Sequence, residues 1–208
     1  TAAGFDGATS AVYIYDPPIN TTQAFTVMTW VKLNTESGGD QTVATIPGDI
    51  GSSAFKLYYD ASDDRWRADM AMRKPDGSTD WEDTVAPAGS ADATSWTHLA
   101  VVADPDSSKV TIYVNGEELV SRNVTLPFNN QALDMHLGHQ DEEDYLNGTL
   151  AEFAMFPRAL AAEEISALYQ AYNDSKGSPV KTITTTDPMG ATSSTVHDLL
   201  NGGRVIRS

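Results

Sequence analysis

From residue 11 to about residue 157, apolar and polar positions alternate with a period of two, as in strands that bury one face and wet the other. The runs richest in β-branched and aromatic residues predict strands at Ala11–Tyr15, Phe25–Leu33, Thr42–Ile46, Ala54–Tyr59, Arg65–Met72, Trp96–Asp104, Val110–Val114, Glu118–Thr125, Asp134–Leu137 and Gly148–Phe156. Turn-forming residues separate them: Asp16-Pro17-Pro18, Ser37-Gly38-Gly39-Asp40, Ala61-Ser62-Asp63-Asp64, Pro75-Asp76-Gly77 and Asn115-Gly116. Asn115-Gly116 predicts a type I′ hairpin, because both central residues of that turn take positive φ. One stretch changes period. Across Ala161–Tyr172, Leu160, Ile165, Leu168, Tyr169 and Tyr172 fall near helical spacing, and Glu163 and Glu164 lie in the first turn, where the helix dipole favours acids. The expected fold is all-β: a two-sheet antiparallel jelly-roll sandwich with one short C-terminal helix pressed onto it.

The texture changes after the helix. Residues 173–186 read as a linker, and residues 187–208 as a tail rich in Thr, Ser and Gly. The Thr alternation of this region is strand-like, but it has few residues with which to build a core. The chain begins at Thr1 with neither an initiator Met nor an apolar targeting segment, as a domain cut from a longer protein would.

Composition narrows the function classes. Thirteen Lys and Arg stand against 29 Asp and Glu, a net charge of −16. Such a surface repels phosphate backbones and anionic lipid, so nucleic acid is not an expected partner. No run approaches the ~20 apolar residues of a membrane span, so membrane insertion is not expected either. Cysteine is absent, which removes disulfides, thiolate zinc sites and cysteine nucleophiles.

Several motifs then occur in a recognisable order: Phe5-Asp6-Gly7, the run Phe25–Leu33, Trp96–Asp104, Val110–Leu119 and Gly148–Tyr169. Together they resemble the laminin-G-like branch of the concanavalin A-like jelly rolls, over residues 5–172. The resemblance implies two antiparallel sheets, one concave, in a secreted or cell-surface module that binds a glycan or protein ligand, sometimes with calcium. One position departs from the family: the Asp-Glu pair of its last strand reads Ala151-Glu152 here, which removes one possible metal ligand. Leu137–Gly148 is also similar to the calcium loop of the pentraxins, with Gln140 and Asp141 matching and His139 standing where a Glu is expected. Asp187–Ser208 resembles one unit of the bacterial RHS/YD repeats, with Asp187–Gly190 and Gly203-Arg204 in place and His197-Asp198 where Tyr-Asp is the signature. That second resemblance implies neighbouring domains on the same long chain, since one repeat unit cannot stack on itself.

Catalytic chemistry finds little support. A glycosidase needs two carboxylates facing one cleft, and the alternating Glu-x-Asp-x-x-Glu run of the glucanase branch is missing. Asp80-Trp81-Glu82-Asp83 comes nearest but sits in a Gly-, Ser- and Asp-rich stretch that reads as a solvated loop. There is no Gly-x-Ser-x-Gly elbow and no HExxH. His98 reads as structural, whereas His136, His139 and Asp141 could hold an adventitious transition metal.

Calcium wants six to eight oxygens. Gln140, Asp141, Glu142, Glu143 and Asp144 supply them densely, with Asp6 as a further ligand; the competing reading is a solvated acidic turn. The metal candidates are thus Gln140, Asp141, Glu143, Asp144 and Asp6. For sugar, an aromatic platform beside polar groups is required. Trp30, Trp66 and Trp96 lie in strand patterns and read as core, which leaves Trp81, Tyr145 and His139 as ligand-binding candidates. A spacer role with no external ligand is the alternative to binding.

Overall fold

The computed structural model describes residues 2–47, 53–124, 134–140, 142–173, 180–186, 192–198 and 204–207. The chain divides into two compact units, Thr1–Leu160 and Ala161–Ser208.

The first unit is a sandwich of two six-stranded antiparallel sheets. One sheet runs β1 (Ala2–Asp6), β12 (Asn147–Phe156), β3 (Phe25–Leu33), β8 (Thr97–Asp104), β9 (Lys109–Val114), β10 (Glu117–Asn123). The other runs β2 (Val12–Ile14), β11 (Met135–Leu137), β4 (Gln41–Pro47), β5 (Ser53–Asp60), β6 (Arg65–Arg73), β7 (Thr79–Val85). Alternation decides which face each residue takes. On β5 and β6, Phe55, Leu57 and Tyr59 lie opposite Met70, Ala68 and Trp66, and all six are core residues. On β3 and β8, Phe25, Val27 and Val31 join Leu99, Val101 and Ala103. Phe25 and Phe55 meet edge to face across the two sheets, with ring centroids 5.5 Å apart.

The Asn115-Gly116 turn forms as expected. Its residues have φ of 51° and 82° and connect Val114 directly to Glu117. Asn115 also ties the turn to β8, donating its N–H to the His98 carbonyl and accepting the His98 N–H on Oδ1. His98 is buried edge-on to Trp30, and burial pushes its imidazole down to about 4, so it stays neutral in a structural role.

Three features differ from expectation. β1 carries one buried side chain, Phe5, and is a strand because it pairs residue by residue with β12. β7 replaces the expected loop around Trp81: its acids find cations on neighbouring elements, so it is polar on both faces and shows no hydrophobic period. Asp80 pairs with Lys74 at 2.9 Å, Glu82 with Arg122 at 3.8 Å and Asp83 with Arg67 at 2.8 Å. Trp96 is 43% exposed rather than core, since it precedes β8, which starts at Thr97. Trp66, by contrast, is fully buried. Glu152 sits at a bulge in β12, exposed and at φ 51°, so the position where the family carries its acidic pair is a local kink in the strand.

The second unit begins with helix α1 (Ala162–Asn173), on which Ile165 and Leu168 are buried. Glu164 accepts the Ala161 N–H at 3.0 Å, half of a capping box. Strands β13 (Val180–Thr186), β14 (Thr192–Asp198) and β15 (Arg204–Arg207) follow as a three-stranded antiparallel sheet. β13 occupies the second half of the segment read as a linker. Among the described residues, no helix is long and apolar enough to cross a membrane.

β12 lies close against β3 at Gly148, where a Cβ would come within 2.5 Å of the Lys32 carbonyl oxygen. Gly148→Ala is therefore expected to destabilise the chain by about 2–4 kcal/mol, because the obstacle is backbone that cannot step aside. Urea unfolding of the variant measures it; an unchanged midpoint would show that β12 can move away.

Candidate ligand-binding site

The C-terminal ends of β1 and β3 and the N-terminal ends of β4 and β12 meet at one end of the sandwich. Between them lies a cleft of about 340 Å³, lined by Gly7, Thr35, Ser37, Gly38, Gly39, Asp40, Gln41, Asp144, Tyr145 and Asn147. The wall formed by the 34–41 loop is fixed by amides. Gln41 donates Nε2 to the Thr35 carbonyl at 2.8 Å and accepts the Asn147 N–H on Oε1 at 3.0 Å. Asn34 donates to Asn147 Oδ1 at 2.9 Å. Asp40 accepts the Ala61 N–H on Oδ1 at 3.0 Å.

The opposite wall is the loop between β11 and β12. Gln140 and Glu143 exchange backbone hydrogen bonds at 3.0 and 2.7 Å, closing a tight turn. Leu146 donates its N–H to the Gly138 carbonyl, and Glu142 and Asp144 take positive φ. Asp144 holds this loop to the second sheet at two points. Its carbonyl accepts the Thr42 N–H at 2.9 Å, and its Oδ2 accepts from Lys56 Nζ at 2.8 Å. Tyr145 follows and lines the cleft. Behind it, His139 stacks at 5.5 Å, and His136 stacks on His139 at 5.0 Å. Tyr13 packs edge-on against both imidazoles. Partial loss of hydration raises the Tyr145 phenol above its ordinary value, and the nearby Glu142, Tyr13 and Asp6 add to it.

The sequence-predicted residues divide accordingly. Tyr145 and Asp144 line the cleft. His139 does not: it is 2% exposed, its Nδ1 accepts the Glu142 N–H at 3.2 Å, and it supports the Tyr145 ring instead of facing a ligand. Trp81 lies elsewhere, 44% exposed on the edge strand β7 and opposite Ala71. Gln140 and Glu143 shape the turn, and Asp141 is outside the described residues. Asp40, Gln41 and Asn147 were missed. Only the turn signal at Ser37–Asp40 pointed to that region, and nothing local showed that it faces Tyr145.

The described residues do not fit a calcium cage. No group of three or more His, Asp or Glu among the described residues could hold a metal, and Gln140 and Glu143 are engaged in the turn through their backbones. Asp6 spends its carboxylate on the N–H groups of Thr9, Ser10 and Ala8 and on the Thr9 hydroxyl, which hold it well below the usual carboxylate range. Asp144 is already paired with an ammonium.

Lys56 belongs to a polar network on the outer face of the second sheet. It lies opposite Asp69 of β6, with Nζ 4.2 Å from the Tyr58 ring centroid. The Arg67 guanidinium reaches Asp83 at 2.8 Å, Asp60 at 3.4 Å and Asp69 at 3.7 Å. Burial pushes Asp69 up to about 6, against the pull of Arg67. Burial opposes ionisation of Asp60 too, but hydrogen bonds from Ser62, Arg65 and Arg67 hold it at about 2.

Fold and sequence agree on the class. The family model described as the concanavalin A-like lectin/glucanases superfamily, in its Laminin_G_3 form, matches residues 6–166, and the chain belongs to that family. The fold is similar to the heptameric SAP-like pentraxin of Limulus polyphemus, with a TM-score of 0.58, 14% identity and 81% of each chain covered. It is also similar to the binding domain of botulinum neurotoxin serotype G, with a TM-score of 0.57, 12% identity and 95% of this chain covered. A third similar structure is the binding domain of botulinum neurotoxin DC in complex with SialylT, with a TM-score of 0.58, 13% identity and 79% of this chain covered. This chain spans 57% of the serotype G chain and 40% of the DC chain. Among curated proteins none matches the chain.

Asp69 sets a pH dependence. Its folded-state value lies above the unfolded one, so the folded state binds more protons between them and stability falls as pH rises from about 4 to about 6. Asp69→Asn is expected to leave stability near wild type at about pH 4 and to gain about 2–3 kcal/mol over wild type at about pH 7. Urea unfolding at both pH values checks it, and a difference that does not change with pH would mean that Asp69 ionises normally.

Proposed function

We propose that this chain is a non-catalytic recognition module that binds a glycan in the rim cleft. The observation that carries the reading is the convergence of one braced aromatic ring, Tyr145, with fixed polar groups of Asp40, Gln41, Asp144 and Asn147 around a cavity of sugar size. Among the described residues, Asp40 uses one carboxylate oxygen on Ala61 and Asp144 one on Lys56, which leaves each an acceptor for a ligand hydroxyl. Stacking on Tyr145 supplies the apolar half of such an interaction. The pentraxin and toxin binding domains of similar fold support recognition over catalysis. The polar groups of the cleft are held by structural hydrogen bonds, as binding requires.

The module acts, in this reading, outside the cell as part of a long repeat-bearing chain. Strands β14 and β15, which lie within the stretch that resembles the start of an RHS/YD array, support that context.

Binding to an array of immobilised glycans tests the function. Wild type is expected to retain a defined subset, and Tyr145→Ala to weaken it about fivefold, corresponding to the ~1 kcal/mol of one stacking contact. Binding that survives in Tyr145→Ala and disappears in Trp81→Ala would move the site to β7. An array with no retained glycan would favour the spacer role.

A further inference from the structure

The acidic loop and its lysine carry one step more. We propose that Lys56 is the resident cation of the rim cleft: fixed on Asp144, its ammonium does for the β11–β12 loop what a bound divalent ion would do, and the cleft assembles without calcium. Glu142, Glu143 and Asp144 follow one another in this loop and repel unless a positive charge is near. Lys56 comes from the middle of β5, its side chain only 10% exposed, and places Nζ 2.8 Å from Asp144 Oδ2. An ammonium so withdrawn from water needs close partners. It has the Asp144 carboxylate on one side and the Tyr58 ring on the other, with Asp69 facing it from β6.

The geometry also argues against a metal competing for the same place. Asp144 is clamped through its carbonyl to Thr42 as well as through its carboxylate to Lys56, so its side chain is not free to swing to an ion elsewhere. A divalent ion on that carboxylate would sit within a few ångströms of the ammonium, and the repulsion of the two charges opposes binding. Lys56 is thus a positioning residue, acting on a ligand through Asp144 and the neighbouring Tyr145. The inference stands whether the cleft takes a glycan or another ligand.

Thermal unfolding of the whole chain in millimolar calcium, in magnesium and in EDTA tests it. Wild-type curves are expected to coincide. Lys56→Met keeps the stem over Tyr58 but removes the charge, and is expected to melt roughly 5–10 °C lower. Neither calcium nor magnesium is then expected to restore that loss, because the described acids form no cage that would take an ion in place of the ammonium. Lys56→Arg should remain near wild type, and Lys56→Met combined with Asp144→Asn should melt no lower than Lys56→Met alone. A calcium-specific rise in wild type would overturn the proposal, as would additive losses in the double variant. If Lys56→Met does not fold, the wild-type and Lys56→Arg melts still decide. Failure of glycan retention with these melts as expected would sink the binding function and leave the role of Lys56 intact.

Discussion

The insertion of β12 between β1 and β3 is the constraint on which the rest depends. It joins the first strand to the last strand of the sandwich, residue against residue from Ala2–Ala151 to Asp6–Asn147, and it does so at the close approach of Gly148 to Lys32. Every wall of the cleft follows from that pairing. Gly7 donates to the Leu146 carbonyl and Asn34 to the Asn147 carbonyl, so the end of β1, the loop after β3 and the loop before β12 are locked at one end of the molecule. Without the insertion, Tyr145 and Asp40 would have no common space to line.

A second theme is how an acidic chain deploys few cations. Arg67 serves three carboxylates, Arg65 reaches Asp60 and Asp63, and Lys56 takes Asp144. These pairs lie on the outer face of the second sheet and at its edge, where Arg122 of β10 also meets Glu82 and the Asp83 carbonyl of β7. The exposed pairs among them contribute little singly. Their importance here is positional: they let β7 be a strand despite its acids, and they hold Asp144 in place.

Much of the fold was legible along the chain. Period-two alternation located β3, β5, β6, β8 and β9 closely, because each buries one face against the same core, and Asn115-Gly116 specified its turn through φ alone. β1 and β7 were not legible. Ala2–Asp6 and Thr79–Val85 have no apolar period, and become strands only through hydrogen bonds and ion pairs to distant residues. The site was half legible: Tyr145 and Asp144 stood out in an acidic loop, whereas Asp40, Gln41 and Asn147 are ordinary loop residues until β12 brings them together.

The sequence by itself determined the class of fold, the position of most strands, the helix and the hairpin turn, since these rest on local periodicity and on dihedral preferences that each residue carries with it. Only the tertiary structure decided that His139 backs a ring, that Trp81 lies away from the cleft and that Asp144 holds a lysine. Those outcomes depend on which strands pair and in what register. A single residue's slip would turn Lys56 to the opposite face and leave the loop's charges without their partner.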